Sequence, residues 1–374
     1  MRRLVALIAA LLLAPAAAQA AEAPIIDGVW KGTIGTLPVR VCLMDVSASY
    51  PHGSYYYLSQ LKPIALEKPE GTKGWQEQSG AKARWSIALA GANRVTGNWT
   101  TGDRTLPVSL TRVVMGDDGE LDGACMSDAF MAPRITSTRL VESPAKAGKL
   151  AYTKLKLEVG KWFEDVDIAT FQIPTQRPGD KAINLALRGL IDPRQGRADY
   201  VSCMKGNLGL SGTDGELSFG AEPSFVSSEW IDLQVDEGNS CGGAHPNYSS
   251  THLIFDRTSG KEVQLAQWLA PRGMSAKWDA GAKYWDTKML DGLRKQVVAA
   301  MPPIEDADCQ SAVAEADYWD LALTPTGIAF SPSLPHVMQA CADDAELTFA
   351  QLAPYLSPAG KAGVARMKAP VLVP

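Results

Sequence analysis

The sequence predicts an α+β protein in which a small antiparallel β barrel or sandwich comes first and an α+β region with an antiparallel sheet and two or three helices follows. Three observations carry this. Residues 25–143 hold short β-type runs separated by Gly, Pro, Asn, Asp or Ser clusters, the spacing of small all-β units. Between Trp230 and Asp236, Ile231, Leu233 and Val235 alternate with Asp232, Gln234 and Asp236, the period of a strand with one buried and one wet face. From Asp180 onward, Ile183, Leu187, Leu190 and Ile191 fall on one helical stripe.

The first twenty residues combine Arg2 and Arg3, an apolar run from Leu4 to Leu13 and the triplet Ala18-Gln19-Ala20. These are the parts of a secretory signal peptide over residues 1–20, and they place the mature chain in the periplasm or outside the cell. No later apolar stretch is long enough to span a bilayer, so no membrane span is expected in the mature chain. Loss of Arg2 and Arg3 moves the formal charge from -5 to -7. That acidic balance argues against nucleic acid and anionic membranes and suits a cationic partner.

An oxidising compartment turns the six cysteines into three disulfides more readily than into thiols or metal ligands. Six cysteines allow fifteen pairings. The sequential set, Cys42 with Cys125, Cys203 with Cys241 and Cys309 with Cys341, closes each loop within one structural unit. In the chain-entropy picture each bond contributes about 3 to 5 kcal/mol.

At roughly 100 to 200 residues per domain the mature chain makes two or three units. In the first, 25–143, strands are expected over Val29–Leu43, Tyr55–Leu66, Ala83–Leu89, Arg94–Thr100 and Leu106–Val113. Gly28-Val29-Trp30 resembles a lipocalin-type opening, and the Tyr55-Tyr56-Tyr57 triplet should turn at least one tyrosine to solvent. Residues 144–149 read as a linker. A companion half, 150–229, then offers strands at 154–159 and 165–173, a helix capped by Asp180 and ended by Asp192-Pro193, and two or three short strands from 198 to 226. In the last unit, 230–358, a strand pair surrounds Cys241 to Pro246, and the Asp256 to Gly260 turn follows. A long helix is expected from Asp279 to Met301, then a hairpin about Thr324 to Gly327 and a capping box at Thr348 and Gln351.

The succession Cys241-Gly242-Gly243-Ala244-His245-Pro246-Asn247, then Phe255-Asp256 with Gly260-Lys261, then Leu265 with Trp268-Leu269, resembles the RsiV/PdaC-type domain of bacterial envelope proteins. Leu323 to Phe330 and the capped terminal helix add to the likeness, which runs over about 150–356 and leaves 25–143 uncovered. The resemblance implies an α+β unit that binds envelope components or extracellular proteins. In relatives the domain is the lysozyme-sensing part of anti-sigma factors or an accessory module of peptidoglycan deacetylases. Between Phe330 and the last helix this chain has Pro332, Leu334, Pro335, His336 and Cys341 in place of the family's tyrosine-rich strand.

Candidate chemistry gathers in the Trp230–Trp268 stretch, at Asp236, Glu237, Ser240, His245 and His252. Asp236 orienting His245 would make the base half of an envelope glycan or ester hydrolase. Against this, glycines at 242 and 243 and Pro246 shape a tight corner in which His245 serves structure or binding. The expected binding surface is therefore Asp236, His245, Asn247 and Tyr248, without catalysis. With four histidines in the chain and Cys241 in a disulfide, no metal is expected, and no motif points to a cofactor. Trp278, Tyr284 and Trp285 could form a sugar-stacking face, although their spacing fits core packing on the long helix. The function expected is that of a non-catalytic envelope module for peptidoglycan fragments or a lysozyme-like protein. The alternatives are the hydrolase and a structural exported protein.

Overall fold

The computed structural model describes residues 25–46, 50–78, 82–117, 123–367 and 371–373; the signal peptide expected over 1–20 lies outside them. Of barrel and sandwich, the N-terminal strands form the barrel. Gly28–Ile34 (β1), Leu37–Met44 (β2), His52–Tyr57 (β3), Ile64–Glu67 (β4), Trp75–Glu77 (β5), Arg84–Leu89 (β6), Arg94–Thr101 (β7) and Arg104–Val113 (β8) each pair antiparallel with the next, and β8 returns to β1. The run expected as one strand from Val29 is two, because Gly35 at φ 60° turns the chain between them.

The inside of the barrel is filled with side chains, including Trp30, Val41, Tyr55, Trp75, Trp85 and Leu110. Trp30 donates to the Ile26 carbonyl and carries the Arg112 guanidinium 4.2 Å from its ring centre. Glu77, buried among these rings, accepts from Tyr55 Oη at 2.6 Å and Trp99 Nε1 at 2.9 Å. The tyrosine triplet departs from expectation. Tyr55 is inside, Tyr57 is half-buried, and Tyr56 faces outward but is buried by the unit that follows.

Residues 144–149 are not a linker. Arg139–Ala147 (β9) runs through them and turns at Gly148, φ 54°, into Leu150–Glu158 (β10). Val166–Gln172 (β11) follows, then the helices Asp180–Gly189 (α1) and Pro193–Ser211 (α2), then Glu216–Ser227 (β12). Asp192-Pro193 opens a helix instead of closing one. The Asp192 carboxylate accepts from Arg194 and Gln195 N–H, proline takes the first helical position, and Tyr200, Met204 and Leu208 make a buried stripe where short strands were expected. Because the two helices carry the chain back across the sheet, β11 and β12 pair parallel, so the expected antiparallel sheet is mixed.

That sheet continues with Trp230–Ser240 (β13), Asn247–Asp256 (β14) and Glu262–Val263 (β15), in the order β15-β14-β13-β12-β11-β10-β9. Ile231, Leu233, Val235 and Phe255 share a core with Ile183 and Leu187 of α1. The face with Trp230 and Ile254 packs against the C-terminal elements. There, Met274–Asp279 (β16) and Tyr284–Met289 (β17) form a hairpin where the long helix was expected to begin. Asp279 Oδ1 accepts from Gly281 and Ala282 N–H, and Lys283 sits at φ 58°, so the chain reverses and the helix is confined to Asp291–Ala300 (α3). Ala307–Glu315 (α4), a sheet of Trp319–Leu323 (β18), Gly327–Pro332 (β19) and Ala345–Thr348 (β20), and Pro358–Ala365 (α5) complete the unit, with the Thr348 and Gln351 capping box in place. Helices exceed the two or three expected. Val371–Val373 (β21) pairs with the end of β12.

Disulfides join Cys42 to Cys125, Cys203 to Cys241 and Cys309 to Cys341, a state that persists in oxidising compartments. No helix among the described residues is long and apolar enough to cross a membrane. Barrel and sheet share a core that includes Tyr56, Phe130, Leu155, Tyr200 and Leu208. Arg134, wholly buried, locks the junction: it donates to Leu61 O of the barrel at 2.8 Å and to both oxygens of Asp214 at 2.7 and 2.5 Å. Its guanidinium also lies 4.7 Å from the Phe163 ring centre.

Candidate functional site

The surface expected to bind divides in two. His245 is exposed at the tip of the β13–β14 hairpin, with Nδ1 3.0 Å from the Pro246 carbonyl and its ring 4.4 Å from that of His336. Asn247 and Tyr248 open β14 and are exposed. Asp236 lies further down β13, where Gln234 Nε2 donates to it at 2.9 Å. No hydrogen bond joins His245 to Asp236 among the described residues.

The structure brings a different pair together. The hairpin register sets Gln234 opposite His252 and Asp232 opposite Ile254, so Asp232 and His252 are diagonal neighbours on one face. His252 Nδ1 stands 2.7 Å from Asp232 Oδ1. Asp232 was expected on the wet face, yet it is fully buried, because β18 packs over it and Leu323 N–H donates to Oδ2. Ser224 Oγ supplies a third donor at 3.1 Å. Burial pushes the Asp232 carboxyl up, while the imidazole beside it favours the ionised form. For His252, burial opposes the charged form, but the partner carboxylates prevail and hold its pKa above the ordinary value.

His252 sits in the wall of a cleft of about 820 Å³, within the usual size of small-ligand sites. Three elements build it. β14 supplies His252 and Ile254, β18 supplies Asp320, and the β16–β17 hairpin supplies Trp278, Tyr284 and Trp285. With Nδ1 turned to Asp232, the imidazole's Nε2 is the nitrogen left for the cleft. Burial raises the Asp320 carboxyl to about 6. Gln264, Gln267 and Glu262 add further polar groups to its lining.

The aromatic wall corrects the reading of those rings as helix core. Trp278 and Trp285 are directly opposite across the hairpin, with ring centres 5.6 Å apart. Trp278 is 51% and Tyr284 52% exposed. Rings left in solvent on a cleft wall can stack on a flat apolar ligand face. Among the described residues no group of three or more His, Cys, Asp or Glu is placed to hold a metal ion. Asp232 and Asp320 were missed as site residues. The signal for the first was the hairpin register, which puts it diagonal to His252; the second required knowledge of how β18 packs.

No protein-family model matches the chain, and no curated protein matches it. Solved structures similar to it include a DUF3298-family protein from Bacteroides fragilis NCTC 9343, at 12% identity over 63% of this chain and 97% of that one, with a TM-score of 0.40. Another is a DUF3298-family protein from Pseudomonas aeruginosa PAO1, at 14% identity over 59% and 94%, with a TM-score of 0.31. Likenesses this low leave the site to be read from its own geometry.

Proposed function

We propose that this chain is an exported envelope module of the periplasm or cell exterior that binds glycan chains of the peptidoglycan type in the cleft between β14, β18 and the β16–β17 hairpin. The observation that carries the reading is the wall of exposed Trp278 and Tyr284 and half-buried Trp285, which lines with polar groups a cavity large enough for sugar rings. Stacking on the wall supplies affinity and the polar groups supply orientation. The reading is tested by titrating the mature oxidised protein with N-acetylglucosamine oligomers and soluble muropeptides. Trp278→Ala and Trp285→Ala should each weaken binding about tenfold or more, as anchors at interface centres do, and His245→Ala should leave it unchanged. No binding of any of these ligands would sink it.

A second reading, hydrolysis of the bound glycan or an ester on it, draws on the Asp232–His252 pair, in which a buried carboxylate orients an imidazole that faces the cleft. Products released by the native protein and not by His252→Ala would establish it. A lysozyme-like partner is a third reading, drawn from the acidic charge; it predicts salt-sensitive binding that survives both tryptophan substitutions.

A further inference from the structure

We infer that the cleft selects amino sugars with a free, protonated amine, the ammonium lying against the Asp320 carboxylate beside the Trp278–Trp285 wall. This rests on the glycan reading above. The argument is a count of charge. Four ionisable groups influence one another: Asp232 from β13, His252 from β14, Asp320 from β18 and Asp344 from the segment before β20, and His252 and Asp320 line the cleft. His252 is the one group among these four that can carry positive charge, and its Nδ1 is turned to Asp232, whose other donors are Ser224 and Leu323 N–H. Asp344 accepts from Ser331 Oγ. Asp320 shares the field of that same imidazole and accepts otherwise from the backbone N–H groups of Leu321 and His252.

No lysine or arginine forms an ion pair with Asp320 among the described residues, although Lys283 and Glu262 stand along the same cleft. Three carboxylates therefore share one imidazole, and burial with that incomplete compensation raises the proton affinity of Asp320. The aromatic wall points the same way independently. Ring faces attract cations within about 6 Å of the centroid, and here two rings more than half exposed line the same cleft as Asp320. An ammonium brings one positive charge and three donors, whereas an N-acetyl group brings one donor and no charge. A sugar with a free amine therefore answers both features with one substituent.

The experiment compares calorimetric titrations of the mature oxidised protein with glucosamine tetramer, N-acetylglucosamine tetramer and tetralysine, near neutral pH and at low salt. The free-amine tetramer should bind about tenfold tighter than the acetylated one, as charge-assisted hydrogen bonds do relative to neutral ones. Asp320→Asn should remove that preference, bringing the two tetramers to within about twofold of each other. A thermal melt checks the fold of the variant. Equal affinity for both tetramers in the native protein, or a preference that persists in Asp320→Asn, overturns the inference and leaves the glycan reading standing. Failure of both tetramers to bind overturns the inference, and failure of the muropeptides as well removes the glycan reading. Tighter binding of tetralysine than of the amino sugar assigns the amine to a peptide and overturns the sugar.

Discussion

The barrel and the cleft use the same residue types to opposite ends. In the barrel, Trp30, Trp75 and Trp85 are inside and nearly inaccessible, and the buried Glu77 is answered by two neutral donors. Tyr55, one of those donors, is held far above the ordinary phenol range by burial and by the carboxylate it serves. Around the cleft, Trp278 and Tyr284 stand in solvent, and the Asp320 carboxylate shares the His252 imidazole with Asp232 and has no lysine or arginine partner among the described residues. Rings turned inward and polar groups satisfied locally give stability with nothing left to offer a ligand. Rings turned outward around a carboxylate that shares its one cation give up stability and leave contacts for a partner to complete.

Substitutions can break this contrast. The largest stability loss is expected for Trp85→Ala in the barrel, about 4 kcal/mol from the lost burial and the cavity left behind, read by urea unfolding. Glycan affinity of the fraction that remains folded should not change. Asp180→Ala strands Arg257, whose guanidinium is buried and paired with that carboxylate at 2.8 Å, and should cost about 3 kcal/mol. Asp320→Asn should do the reverse and stabilise the protein by about 2 kcal/mol at pH 7, because it removes a charge that burial disfavours. Trp278→Ala should change unfolding free energy by no more than about 0.5 kcal/mol, as exposed positions do, while abolishing most of the binding.

The pH dependence sharpens the comparison. Asp320 titrates near 6 in the folded chain and near 3.9 when unfolded, so the folded state holds its proton more tightly. Its contribution is fully present below about pH 4 and is lost as pH rises through about 6. His252, also raised, adds the same sign at higher pH. Asp180 and Asp256 are lowered by their arginine partners and backbone donors, and they act oppositely, losing stability as pH falls. The difference in unfolding free energy between native protein and Asp320→Asn isolates the first effect, and it should move by about 2 kcal/mol between pH 4 and pH 7. A flat difference would mean that Asp320 is better solvated than its burial implies.

Much of the fold was legible because it is written locally. Alternating residues in β13, the Thr348–Gln351 capping box and the close β spacing before residue 143 are each short-range patterns. The failures were also local in origin. Asp192-Pro193 reads equally as the end of one helix and the start of the next, and only the stripe of Tyr200, Met204 and Leu208 decides for the start. The Asp279 side chain reverses a segment whose apolar spacing also fits a helix. At the site, His252 and the three aromatic residues were visible as chemistry, but Asp232 looked like an exposed partner in an alternating strand. What buried it is β18, which arrives from about ninety residues away, and no period in the β13 sequence records that contact.

Arg134 has a consequence for motion. Its contacts with Leu61, Asp214 and Phe163, and the shared core around Tyr56 and Tyr200, leave the barrel no swivel against the sheet. The two halves should therefore tumble as one body, and a dye attached to the outer barrel surface should report the rotational correlation time of the whole chain. A ligand large enough to slow that rotation would then be detectable from the barrel, far from the cleft that holds it.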